Sequence, residues 1–120
     1  MKLLYVEDEE SMAEAVTDIL VFHKYQVDTV YDGEEALEMA LSSRPDIILT
    51  DVRMPFMDGL TLMERLRSKM PECGFIVLSG HNEFEYARQA IRQGAFAYLL
   101  KPIDRQAVSY THLRAHETAA

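Results

Sequence analysis

The sequence predicts an α/β domain: a parallel β-sheet covered by helices on both faces. Three observations predict it. Short apolar runs alternate five times with longer segments of helical period, the pattern of successive β–α units. The runs are apolar throughout, as strands buried on both faces of a parallel sheet must be. Acidic residues close the first and third runs, and the carboxyl ends of neighbouring strands are where such sheets bind ligands.

The elements follow in order. Strands are predicted over residues 3–6, 26–30, 47–50, 75–78 and 97–100. Between the first two, Met12, Val16, Ile19 and Leu20 recur at i, i+4, i+7 and i+8, one face of a helix. A second helix carries Ala36, Leu37, Ala40 and Leu41, opened by Asp32-Gly33 and closed near Pro45. The third offers Leu60, Met63, Leu66 and Met70, entered after Asp58-Gly59 and stopped by Pro71. The fourth has Phe84, Ala87, Ala90 and Ile91, with Asn82 as N-cap and Gly94 as its end. A fifth helix begins at Ile103-Asp104-Arg105-Gln106-Ala107-Val108. Residues 109–120 then lose apolar periodicity and resemble translated adapter or vector sequence. The expectation is one domain over residues 1–120, with 109–120 a non-native tail replacing the end of that helix. A native, weakly amphipathic helix is the alternative.

Composition narrows the function classes. A chain of 120 residues makes one domain with a real core. Hydrophobic residues at 48% and charged residues at 27% are ordinary for a globular protein in water. No apolar run approaches the roughly 20 residues that cross a bilayer, and Glu7-Asp8 turn the N-terminus acidic too early for a signal peptide. A single cysteine, Cys73, excludes an internal disulfide and a multi-cysteine zinc site, and fits a reducing cytoplasm. The net charge of −8, without any cluster of Lys and Arg, argues against direct binding of nucleic acid. If DNA is the final target, another domain must touch it.

The chemistry gathers at one edge. Glu7 and Asp8 follow the first strand, Asp51 the third, Ser79 the fourth, and Lys101-Pro102 the fifth. Three carboxylates at one edge repel: a pair about 4 Å apart costs roughly 4 kcal/mol at an effective dielectric near 20. A hard divalent cation relieves that cost, and an all-oxygen set of this kind suits Mg²⁺. A carboxylate can also serve as nucleophile toward phosphorus, giving an aspartyl-phosphate. In phosphoryl transfer the protein mainly positions groups and neutralises charge. An ammonium such as Lys101 and a hydroxyl such as Ser79 can hold phosphoryl oxygens. Taken singly, each residue has a plainer reading as a cap, a turn or a chain break. Their joint placement at the same end of successive strands favours the chemical one.

These strings resemble the receiver domain of two-component response regulators. They are Val6-Glu7-Asp8-Glu9, Asp51-Val52-Arg53-Met54-Pro55 with Met57-Asp58-Gly59, Leu78-Ser79-Gly80, and Tyr98-Leu99-Leu100-Lys101-Pro102. The resemblance covers residues 1 to about 108. It implies a flavodoxin-like (βα)5 fold, doubly wound, with strand order 2-1-3-4-5. It implies Asp51 as phosphoacceptor and Glu7, Asp8, Asp51 and the Arg53 backbone carbonyl as Mg²⁺ ligands. Ser79 and Tyr98 match the switch pair, and Lys101, with a cis bond to Pro102, the family's lysine. Arg53 and His81 match positions that tune phosphoryl lifetime. Glu7 stands where the family most often has Asp, which leaves metal affinity open. The stretch 81–87, together with Ala90-Ile91 and 99–104, is similar to receivers joined to AraC-type helix-turn-helix domains. The resemblance thus implies a cytoplasmic switch, phosphorylated by a sensor histidine kinase or a small acyl phosphate. Its fourth helix, fifth strand and fifth helix would present a changed surface for dimerisation or effector release; it would reach DNA only through an effector domain outside this chain, and have no membrane partner. It would catalyse its own phosphorylation and dephosphorylation without turning over an external substrate.

Three rival readings are weaker. A phosphohydrolase of the haloacid-dehalogenase type needs a second Asp two residues after the nucleophile, and that position is Arg53. A flavin or nucleotide module needs a Gly-rich or hydroxyl-rich first loop, where this chain has Glu7-Asp8-Glu9-Glu10. A receiver-like module that never gains phosphate would not need Asp51, Ser79 and Lys101 together.

Overall fold

A computed structural model describes residues 1–52, 54, 57–80 and 84–100. Along the chain run β1 (Lys2–Val6), α1 (Glu10–Phe22), β2 (Gln26–Val30), α2 (Gly33–Ser43) and β3 (Ile47–Asp51). They continue with α3 (Gly59–Arg67), β4 (Gly74–Ser79), α4 (Phe84–Arg92) and β5 (Ala97–Leu100). The strands form one parallel sheet in the order β2-β1-β3-β4-β5. The predicted class, strand order and each predicted strand are therefore present. The expected fifth helix and residues 109–120 lie outside the described residues.

Alternation along the strands sends successive side chains to opposite faces. Leu4, Val6, Ile48, Phe75 and Val77 meet Ala36 and Ala40 of α2, Leu62, Met63 and Leu66 of α3, and Ala90 of α4. On the other face Leu3, Tyr5, Ile47, Leu49, Ile76 and Leu78 meet Ala13, Val16 and Leu20 of α1. Every residue of the central strands β3 and β4 is buried, whereas the edge strand β2 alternates. That contrast is what a doubly covered sheet imposes on its centre and edge.

Two helical contacts differ from the periodicity. Leu41 and Ile91, expected on buried faces, are exposed. Ala36, Ala40, Ala87 and Ala90 occupy the centres of those contacts and are fully buried. Small residues let the helices approach closely, so the larger neighbour one position on falls to the flank. α3 ends at Arg67, earlier than Pro71 would require, because the Lys69 and Met70 N–H groups both turn back to the Leu66 carbonyl. Met70 stays buried beyond the helix.

Helix ends are closed by named bonds. Asp32 and Asp58 cap α2 and α3, accepting from the N–H of Glu35 and Thr61, each at 2.8 Å. Gly94 takes a left-handed conformation after α4, with Gly94 N–H donating to Ile91 O and Ala95 N–H to Ala90 O, both at 3.0 Å. Lys24 closes α1 in the same way without glycine. Among the described residues, no helix is long and apolar enough to cross a membrane.

Asp58→Ala should destabilise the domain by about 1 kcal/mol, the usual worth of an N-cap. Urea unfolding should show a lower midpoint with an unchanged slope.

Candidate functional site at the carboxyl edge of the sheet

Register brings the strand ends level. Val6 pairs with Thr50, Thr50 with Val77, and Val77 with Tyr98. One step further Asp51 pairs with Leu78, and after that Ser79 with Leu100. The ladder runs past the strands: Glu7 N–H donates to Val30 O at 3.0 Å and Val52 N–H to Leu78 O at 3.1 Å. Gly59 N–H donates to Val52 O at 2.8 Å, drawing the start of α3 against the end of β3. A Cβ on Gly59 would collide with the Asp51 carbonyl, so only glycine permits this approach. The Thr50 hydroxyl donates to that same carbonyl at 3.0 Å. The backbone carrying Asp51 is thereby held from three sides.

Glu7, Asp8 and Asp51 converge, with one carboxylate oxygen from each lying within 4.8 Å of the others. Glu7 and Asp51 are buried and Asp8 is exposed, so the cluster has two dry walls and one open side. At that separation each pair repels by about 3 kcal/mol at an effective dielectric of 20. The donor set is all oxygen and all anionic, which fits a hard divalent cation that keeps several waters on its open side.

Glu7 is held at both oxygens. Its Oε1 accepts from the Tyr5 hydroxyl and its Oε2 from the Glu9 N–H, each at 3.2 Å. Burial pushes the Tyr5 phenol far above its ordinary range, and the charges of Glu7 and Asp51 push it further. Tyr5 therefore remains a protonated donor. Ser79 Oγ is buried and has no hydrogen-bond partner among the described residues. A buried hydroxyl left unsatisfied costs about 1–3 kcal/mol, so this one is set to receive an acceptor.

Comparison with known proteins agrees with this geometry. Residues 3–111 match the family model described as the response regulator receiver domain. The chain belongs to that family. It is 37% identical over 110 residues to the uncharacterized transcriptional regulatory protein YesN of Bacillus subtilis, covering 89% of this chain and 30% of that protein. It is 36% identical over 99 residues to the DNA-binding transcriptional regulator NtrC of Escherichia coli, covering 82% of this chain and 21% of that one. Among solved structures, the receiver domain of AraT, a response regulator from Geobacillus stearothermophilus, superposes with a TM-score of 0.87 at 40% identity. That match covers 98% of this chain and 94% of the other. The chain thus spans well under half the length of these curated relatives, which are regulators of transcription by name.

Within the receiver, Glu7, Asp8 and Asp51 come together and Ser79 ends the strand beside Asp51. Tyr98 lies on β5, half-buried against the apolar cluster on the face of α2 and α3. Lys101, Arg53 and His81 lie outside the described residues. Reading the sequence missed the part of Tyr5, which looked like one more apolar strand residue. Its signal was the spacing, because residues two apart on a strand share a face. Cys73 sits far from this edge, before β4, and burial raises its thiol to about 12, so it is no ready nucleophile.

Asp51→Asn removes one charge from the cluster with almost no change of shape. With divalent cations chelated, it should raise stability by roughly 0.5–2 kcal/mol, the usual return from relieving a strained site. Parallel urea unfolding of both proteins in EDTA tests this, and equal midpoints would show that the carboxylates carry no strain.

Proposed function

We propose that this receiver takes a phosphoryl group on Asp51 and uses it as a switch, with Mg²⁺ as its cofactor. The observation that carries the reading is the convergence of Glu7, Asp8 and Asp51, with the buried Ser79 hydroxyl, unpartnered among the described residues, at the end of the adjacent strand. Glu7, Asp8, the Asp51 carboxylate and the Arg53 backbone carbonyl would hold the ion. When bound, Mg²⁺ supplies positive charge that offsets the crowded carboxylates and the incoming phosphoryl oxygens.

The donor is a phosphohistidine of a sensor kinase or a small acyl phosphate. A carboxylate oxygen of Asp51 forms the new O–P bond while the donor's P–N or P–O bond breaks, and the bonding pair leaves with the imidazole or carboxylate. Lys101 pairs with a second phosphoryl oxygen, and Ser79 donates its hydroxyl to a third. The movement of Ser79 frees room into which Tyr98 turns, and the surface of α4, β5 and the fifth helix changes. A new charge biasing a two-state surface is a recognised mode of regulation. Arg53 and His81, two residues beyond Asp51 and Ser79 in sequence, would set how long the group survives.

The output follows from charge and length. A chain of net charge −8 is poorly suited to bind DNA itself, and its relatives are much longer regulators. The effector would be a DNA-binding domain of the AraC type, since residues 81–87, 90–91 and 99–104 resemble receivers joined to such domains. Phosphorylation would promote a homodimer, all within the cytoplasm. Residues 109–120 would be a tail with no part in the switch. The receiver catalyses only its own phosphorylation and dephosphorylation.

Incubation with radiolabelled acetyl phosphate should label the chain with Mg²⁺ and not in EDTA. Asp51→Ala should abolish labelling, and an unchanged rate in that variant would overturn the assignment. Decay of the label, timed in Arg53→Ala and His81→Ala, should differ from the parent if these two positions govern lifetime; matching half-lives would remove them from the site.

A further inference from the structure

We propose that Tyr5 is a positioning residue for the metal site, holding the Glu7 carboxylate where a divalent cation needs it. The inference rests on the reading of Glu7 as a metal ligand and adds the device that makes that ligand usable.

Tyr5 and Glu7 are two residues apart, on the face of the sheet that packs against α1. The Tyr5 ring is fully buried among apolar side chains, so its hydroxyl needs a polar partner, and Glu7 Oε1 provides it at 3.2 Å. The ring has little freedom in a packed core, and the hydroxyl is therefore a fixed point. Glu7 has three side-chain torsions and is itself fully buried. Bonds from Tyr5 to one oxygen and from the Glu9 N–H to the other leave its carboxylate little room to swing. A carboxylate offers about four acceptor sites, so one bond to each oxygen is compatible with its also serving as a metal ligand. Partners that orient a ligand in this way govern metal affinity nearly as strongly as the ligands do.

The plainer possibility is that Tyr5 only fills the core. Tyr5→Phe separates the two, since it keeps the ring and removes the hydroxyl. Calorimetric titration of the 120-residue chain with MgCl₂ should show a Kd about tenfold weaker in Tyr5→Phe than in the parent. Circular dichroism in EDTA checks that the variant is folded. Should it not fold, Tyr5→Met, which also lacks the hydroxyl, carries the same expectation. In a Glu7→Asp background the carboxylate is drawn one methylene away from the phenol. There Tyr5→Phe should change Kd by less than about twofold, the signature of two residues acting as a pair.

A Kd in Tyr5→Phe equal to that of the parent overturns the proposal. So does an equal loss in the Glu7 and Glu7→Asp backgrounds, which would show that Tyr5 does not act through Glu7. Absence of Mg²⁺ binding in the parent chain instead overturns the metal reading beneath it, so the two failures are told apart.

Discussion

Carboxylates in water avoid one another, and here two of them are packed out of water at the same end of one sheet. Glu7 and Asp51 reach that position because β1 and β3 are neighbours in parallel register, so both chains leave the sheet at the same edge. The apolar body of the sheet makes the arrangement rigid. Its central strands are wholly buried, and backbone bonds continue beyond their last residues. A softer scaffold would let the acids separate, because repulsion of a few kcal/mol per pair is comparable with the stability of a whole domain. The fold therefore holds an electrostatic cost at this edge, of the kind that a bound cation relieves.

The same rigidity gives a local charge event a route outward. β4 and β5 are registered so that Tyr98 stands opposite Val77, two residues before Ser79 on the adjacent strand. Under the proposed reaction, a phosphoryl group on Asp51 gives the buried Ser79 hydroxyl an acceptor, which it lacks among the described residues. A shift at the end of β4 then reaches β5 directly, through neighbouring backbone rather than through a long path. Close-packed interiors favour discrete rearrangements over gradual ones, which suits a switch.

Charge also separates sensing from output. The acidic chain gathers its buried carboxylates at one edge and carries a net charge of −8. Its relatives named as regulators of transcription are several times longer, so the receiver accounts for a minor share of such proteins. Under the proposed function, division of this kind would let a small anionic module control a partner domain without itself competing for DNA.

Much of the molecule was legible in the linear chain. Apolar runs too short for helices and the amphipathic segments between them determined a parallel α/β sheet, because those periods leave few other ways to bury both. Acids at the ends of the first and third runs located the chemical edge for the same reason. Glycine and aspartate at helix boundaries marked Asp32, Asp58 and Gly94 correctly, since caps are local chemistry. Other features depended on contacts distant in sequence. Leu41 and Ile91 face solvent because alanines elsewhere on their helices take the close contacts. Glycine at 59 is required by a carbonyl eight residues earlier, which periodicity does not reveal. The bond from Tyr5 to Glu7 joins two side chains that the fold strips of water, Tyr5 under α1. Local pattern determined which elements form and which end carries the acids; packing alone decided which side chains are dry, and dryness is what gives these polar groups their force.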